Sequence, residues 1–332
     1  MQSHYMNISS KNEFSSKDIT IIIPTKDRPD KIKKTLDAIA NQTVKCAGVV
    51  VVASGKNIND VVMNYDKKLT IEYYHCDTPG QIKQRNLGID KLRDRTKLVG
   101  FLDDDIILEP KAIETLLEFW NQKPVETAGI GLSIINKSPI NTRSRIKDLL
   151  NRLKRLIYPP GRVLKSGFVT SFNDIPTSIR TSWLNGGSSF WRTRILSEFR
   201  QKEINCTWAV NEDVIFSYPV GKKYPLYVCQ KAKAIHDHDI TESGNRTQYY
   251  TRGRSWALWH LYFVQLHREL SQFACVSMMI SRYIFGILVI GLYSKNKSYM
   301  SFYFGLISGT FEGIRTLREK GEIVSLLEQN QI

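Results

Sequence analysis

The most constraining feature of this chain is an alternation across residues 18–135: short, wholly apolar runs are separated by segments that are apolar on one side only. Asp18–Pro24 (DITIIIP) and Gly48–Ala53 (GVVVVA) read as buried strands, and Thr70–His75 (TIEYYH) as a more exposed one. Lys97–Leu102 (KLVGFL) and Ala128–Ile135 add two more. Between them, Pro29 can open a helix with Ile32, Leu36 and Ile39 on one face. Gly80–Leu92 predicts a second helix, and Pro110 starts a third with Ile113, Leu116, Leu117 and Trp120 inward. Strands alternating with helices predict an α/β fold with a Rossmann-like, mostly parallel central sheet flanked by helices. The active crevice then lies beyond the carboxyl ends of the strands. No GxGxxG follows the first strand, which disfavours a dinucleotide-dependent dehydrogenase.

The strand Lys97–Leu102 runs directly into Asp103, Asp104 and Asp105. Like charges this close raise one another's pKa unless a cation is present. If strand geometry persists, Asp103 and Asp105 project to one side and Asp104 to the other. Hard oxygen ligands of this kind suit Mg2+ or Mn2+, which complete their shells with water and substrate phosphates. The plainer alternative is a helix cap, but Asp105 stands too far ahead of Pro110 to serve well.

Three blocks, IIIPTKDRPDKIKKTLDAIANQT, TPGQIKQRNLGI and LVGFLDDDIILEP, resemble the nucleotide-binding half of a family 2 glycosyltransferase with the GT-A fold. WLNGGSSFWRTRIL and NEDVIFSYPVGKKYPLYV are similar to its acceptor half, and the five blocks occur in the family's order. The resemblance implies that Asp103-x-Asp105 is the DxD motif. Asp103 would contact the nucleotide ribose or share the metal, with Asp104 beside it, and Asp105 would ligate the metal. It also implies that Pro24, Thr25 and Arg28 line the nucleotide pocket, and that Gln81, Arg85 and Asn86 flank the nucleotide-sugar. Arg85 offers a fork of donors to phosphate or to the carboxylates; a surface helix arginine is the alternative. One departure concerns the base. Family members often carry an acid after the second strand, where this chain reads Ala53-Ser54-Gly55, so uridine and thymidine both stay open.

In the second half, Gly186 and Gly187 permit a turn and a close backbone approach beneath a sugar or diphosphate, or an ordinary hairpin. Glu212 and Asp213 precede an apolar helical stretch, where carboxylates are common caps. The resemblance instead makes them the family's ED motif, with Asp213 the general base of an inverting single displacement. Ala234–Asp239 holds His236 and His238. Alone it suits the corner of a metallohydrolase site; within the resemblance, His236 is a late metal or diphosphate contact. Ser243–Arg254 reads as a flexible lid with Arg246, Arg252 and Arg254 for the donor phosphates, or as a solvated polar loop.

Charge adds a partner. The chain carries +15 overall, and residues 140–165 hold eight basic residues and one acidic one. Ile146, Leu149, Leu150, Leu153, Leu156 and Ile157 recur there at helical spacing. A helix facing the core with a solvated basic side and a helix on an anionic membrane or lipid-linked substrate both fit. No nucleic-acid motif is present, so nucleic acid is not an expected partner. Residues 273–293 form an apolar stretch whose only charge is Arg282. Helices packed on the catalytic domain or embedded at the membrane interface fit better than a crossing, and a dimerisation helix is the third reading. No secretory h-region opens the chain and its five cysteines form no CxxC pair. These features predict a cytoplasmic protein at the inner face of the plasma membrane.

The expected organisation is an N-terminal tail (1–17), a catalytic domain (18–240, dividing at 135) and a lid with a helical C-terminal extension (241–332). The expected activity is transfer of a sugar from a UDP- or dTDP-linked donor to a glycan or lipid-linked acceptor. Two rivals remain. One is a nucleotidyltransferase, or a hydrolase around His236 and His238; the other is a non-enzymatic membrane binder.

Overall fold

The computed structural model describes residues 12–135, 158–172, 175–206, 209–237, 245–293 and 298–329. The basic stretch predicted as a helix falls mostly on residues 136–157 and lies outside them, as does His238. The chain forms two compact units. The first comprises Met1–Thr142, Phe172–Gln201 and Pro219–Asp237, the second Arg143–Ser171, Lys202–Tyr218 and His238–Ile332.

The first unit is built on a sheet whose leading strands are β1 (Ile19–Lys26), β2 (Gly48–Ser54), β3 (Ile71–His75) and β4 (Leu98–Leu102). They are parallel in the order β3-β2-β1-β4. Both faces of β1 are covered, which is why it reads as a continuous apolar run. Ile19, Ile21 and Ile23 join the core with Ile32, Leu36 and Ile39 of α1 (Pro29–Ala40). Ile22 faces the other way, against Gly88 of α3 (Gln81–Asp90), where a Cβ would come within 2.5 Å of it. A short α2 (Asn59–Met63) links β2 to β3. Pro29 occupies the first turn of α1, as its fixed φ and missing donor favour. The β1–β4 ladder stops at Ile22, so Pro24 lies beyond it and removes no bond from that side.

After β3 the chain crosses β1 to enter β4, so the topological switch point falls between β1 and β4. The sheet continues through β5 (Ile106–Leu108), β6 (Gly129–Ile134), β7 (Ile179–Thr181), β8 (Ser188–Arg192) and β9 (Leu226–His236). Its order beyond β4 is β8-β6-β9-β5, with β7 pairing β9. β8 runs antiparallel between β4 and β6. α4 (Ala112–Asn121) buries Ile113, Leu116, Leu117 and Trp120, the face its sequence predicts. α5 (Thr193–Glu198) follows β8, and α6 (Glu212–Lys223) precedes β9.

The second unit is helical: α7 (Arg246–Leu266), α8 (Gln272–Tyr293), α9 (Ser298–Arg318) and α10 (Ile323–Glu328). Here the expected lid is corrected. From Arg246 onward the segment is the first turns of α7, started by a capping box in which Asn245 and Gln248 bond reciprocally at 2.9 and 3.0 Å. Arg254 is ion-paired with Glu312 of α9, its Nε 3.0 and 2.9 Å from the carboxylate oxygens. α7 and α9 approach so closely that a Cβ at Gly253 would collide with the Phe302 carbonyl, and one at Gly305 with that of Tyr250. Arg282, the lone charge of α8, lies over the rings of Phe168 (4.9 Å) and Trp256 (5.7 Å). Among the described residues, no helix is long and apolar enough to cross a membrane.

Candidate active site

Strand geometry ends at Leu102, and the three aspartates that follow do not alternate. Their side chains meet different partners, with Arg28 shared by Asp104 and Asp105, so strand alternation is not what orients Asp103 and Asp105. Asp103 is held from β8 and α3. Its N–H donates to the Gly187 carbonyl (3.0 Å), and its Oδ1 accepts from Gln81 Nε2 (2.6 Å) and Arg85 Nη2 (2.8 Å). A Cβ at Gly187 would collide with the Asp103 carboxylate, so the second glycine of the pair leaves that carboxylate its place. Gly186 stands just ahead of it in the loop entering β8.

Asp104 turns inward and is 5% exposed. Its carboxylate accepts from Thr25 Oγ1 (2.6 Å) at the end of β1 and from Arg28 Nη1 (3.3 Å), while its carbonyl accepts from Thr35 Oγ1 (2.8 Å). Burial pushes its pKa up to about 6, against the opposing pull of Thr25 and Arg28. Asp104 therefore ties β4 to β1 and α1 across the switch point, and the Thr25 hydroxyl is committed to it.

Asp105 faces His236 at the end of β9, with Oδ1 3.2 Å from Nε2, and Arg28 Nη1 lies 3.5 Å from its other oxygen. The β5–β9 register pairs Ile106 with His236, and Asp237 N–H donates to the Asp105 carbonyl (2.9 Å), which fixes that approach. Burial alone would raise the Asp105 pKa, but His236, Arg28 and Lys31 outweigh it and the net shift is downward. His236 is shifted upward, chiefly by its bond to Asp105. Among the described residues, no three His, Cys, Asp or Glu side chains converge as metal ligands do. Asp105 and His236 form a two-donor pair, while Asp103 turns toward Arg85.

Arg85 is 1% exposed, and its guanidinium lies 5.7 Å from the Phe101 ring. Its Nε and Nη1 are buried without a hydrogen-bond acceptor among the described residues. Asn86 is buried beside it and donates to the Gln201 carbonyl (3.0 Å). Pro24 is buried within β1.

Three contributors escaped the sequence reasoning. Lys31, one turn after Arg28, donates to the Asp237 carbonyl at 2.6 Å, and its spacing from Arg28 was the available signal. Gln84 bridges the Thr25 and Val52 carbonyls at 2.8 and 2.7 Å, holding the ends of β1 and β2 together. Asp27, in the left-handed region at φ 55°, accepts from the Lys56 N–H at 2.7 Å beside Gly55. A carboxylate from the first loop thus stands against the segment after β2 that lacks one of its own.

Glu212 and Asp213 open α6 and belong to the second unit. Asp213 Oδ1 accepts from the Val214 N–H at 2.8 Å, and Asn211 before them has φ 63°.

Residues 20–179 match the model described as glycosyl transferase family 2. Over 238 residues, 71% of each chain, the sequence is 22% identical to the O-antigen chain rhamnosyltransferase RfbN of Salmonella typhimurium. Over 106 residues, 31% of this chain and 15% of the relative, it is 28% identical to an uncharacterized glycosyltransferase of Rickettsia bellii. The backbone is similar to residues 1–349 of S. aureus TarS, with TM-score 0.55 and 11% identity over 92% of this chain and 83% of that one. It is also similar to the mannosyltransferase PcManGT of Pyrobaculum calidifontis, solved with GDP-Man and Mn2+. There the TM-score is 0.51 and the identity 14%, over 90% and 87% of the two chains. At these identities the structural likeness is one of fold.

Proposed function

We propose, from the premise that this chain is a family 2 glycosyltransferase with the GT-A fold, that it moves a sugar from a nucleotide-diphosphate donor to a glycan or lipid-linked acceptor. The observation that carries the reading is the set of cations around the aspartate fan at the switch point. Arg28 and Lys31 reach it from α1, and Arg85 from α3. Arg28, about half exposed, is the cation open to a diphosphate, while buried Arg85 holds the Asp103 carboxylate in place.

Asp105 and His236 fit a divalent cation as two of its ligands, leaving the other positions to water and the donor's phosphates. An imidazole in the pair suits Mn2+ better than Mg2+, and the Mn2+ complex of PcManGT is in keeping with this. Such an ion would stabilise the charge on the departing nucleoside diphosphate. His236 must release its proton to ligate, so loading strengthens as pH rises. Asp103, oriented by Gln81 and Arg85, is assigned to the donor's ribose or the shared metal. Pro24, Thr25, Asn86 and Gly186 shape the pocket behind it.

Asp213, with Glu212 beside it, is assigned from the family resemblance as the base that takes the acceptor hydroxyl's proton while that oxygen attacks the anomeric carbon. The anomeric centre inverts in that single displacement. The donor base is uridine or thymidine, and the rhamnosyltransferase relative favours a deoxyhexose. Work on a lipid-linked acceptor suits the cytoplasmic face of the plasma membrane.

The test is a thermal-shift titration of UDP, dTDP and GDP with and without Mn2+, paired with an assay of nucleoside diphosphate release. Asp105→Ala should abolish the metal-dependent part of donor binding. Asp213→Ala should retain binding and lose transfer by roughly a hundredfold or more. Wild-type transfer by both variants would overturn the assignment, and release of pyrophosphate would favour a nucleotidyltransferase.

A further inference from the structure

The helical unit contains two helices, α8 and α9, that each expose an apolar stripe. On α8, Phe273, Ile280 and Ile284 are exposed, Phe273 at 84%. Their spacing places them on one side at about 3.6 residues per turn. Cys275, Met279 and Tyr283 occupy a different side and are buried in the helical core. Arg282, nine positions from Phe273, points away from the apolar stripe to its aromatic partners. On α9, Phe304 and Phe311 are exposed at 59% and 71%, one heptad apart, while Leu306 and Thr310 are buried, the Leu306 carbonyl accepting from the Tyr283 hydroxyl and the Thr310 hydroxyl bonding to it.

The charge around these stripes is mainly basic. The outward side of α9 continues into Arg315 and Arg318, and exposed Lys320 follows. Lys295 and Lys297 join α8 to α9 in sequence, and residues 272–320 hold six basic residues against two acidic ones. Both acids are engaged, Glu312 with Arg254 and Glu319 with Arg315.

We infer that the outward faces of α8 and α9 dock on an anionic lipid bilayer. The phenylalanines enter the boundary between headgroups and acyl chains, while Arg318 and Lys320 meet lipid phosphates. Each helix already commits its other side to the protein core, so lipid meets one face only. That is the arrangement of an amphipathic helix lying in the interface. A second copy of this chain is the other occupant such a face admits. A self-contact would bring the basic ends of two copies together, whereas an anionic surface complements them. The inference is independent of the assignment of the transfer site.

The experiment is co-sedimentation of the full chain with vesicles of phosphatidylcholine alone and of phosphatidylcholine with phosphatidylglycerol. The chain should partition onto the anionic vesicles and be released by salt. Replacing both exposed rings, Phe304→Ser with Phe311→Ser, should weaken partitioning roughly tenfold or more. Arg318→Gln with Lys320→Gln should weaken it several-fold and blunt the salt response, and serves as the test if the first pair disturbs folding by circular dichroism. Asp105→Ala should bind vesicles as the wild type does, which separates this result from the fate of the transfer reading. No partitioning onto anionic vesicles, or unchanged partitioning in both paired variants, overturns the inference. So does a concentration-dependent dimer that the Phe304/Phe311 pair abolishes in place of vesicle binding.

Discussion

His236 and His260 carry the same ring into opposite surroundings. His236 closes β9 in the first unit, partly exposed, and Asp105 raises its pKa. His260 lies inside α7 of the second, stacked 3.9 Å from Trp256 and 4.6 Å from Phe168, and burial lowers its pKa to about 4. Its Nδ1 donates to the Trp256 carbonyl at 2.8 Å, which favours the charged ring, but burial outweighs that bond and the neutral ring is the form the fold selects. The difference extends to the regions around them. At the switch point each carboxylate meets partners from several elements, and acids and cations are interleaved there. In the helical unit, contact comes from glycines and stacked rings, and the charges present are paired or turned outward. The first arrangement is built from charge and the second from packing.

Substitutions should therefore separate the two regions, and the largest effect belongs to packing. Gly253→Ala forces a Cβ against the Phe302 backbone, where no side chain can rotate aside. We expect a loss of about 3 kcal/mol in urea unfolding, at the upper end for overpacking and despite alanine's better helix propensity. Nucleoside diphosphate binding by the folded fraction should be unchanged; an equal loss of affinity would break the comparison.

Next comes acid. The unfolded chain protonates His260 near 6.5, whereas the folded chain resists until about 4, so between these values the unfolded state binds the extra proton. The stability that this ring contributes is complete above about pH 6.5, declines as pH falls, and is gone below about pH 4, a change of about 3 kcal/mol at most. His260→Gln should flatten the profile in that window, and an unaltered slope would remove the ring from the account. Smallest is Gly187→Ala, which pushes the Asp103 carboxylate away from Gln81 and Arg85. Turnover should fall about tenfold in kcat/KM with the melting temperature held. A large drop in melting temperature would mean the site is built like the helical unit.

The parts legible in sequence were those where burial on both sides writes an uninterrupted apolar run, as in β1, β2 and β4, and where Pro29 marks a helix start. The aspartates were visible as a group because nothing else follows a buried strand with three carboxylates. Their division of labour was not, since it depends on where β4 stops and on partners more than a hundred residues away in β9. β8 escaped notice because Ser188 and Ser189 are buried in it, so the strand lacks an apolar run. The start of α7 reads as a lid from its arginines. The capping pair Asn245 and Gln248 was the contrary signal, and only contact with α9 explains Gly253.

The place of β8 also bears on how the chain is made. β4 pairs with β1 on one side and with β8 on the other, and β6 pairs with β8 and β9. A ribosome that has released only the first 135 residues has therefore delivered β4 with a naked edge and β6 with no neighbour. Such an edge invites pairing with other chains. Closure waits about another 60 residues for Ser188–Arg192. A fragment cut at residue 135 should therefore aggregate where the whole chain folds.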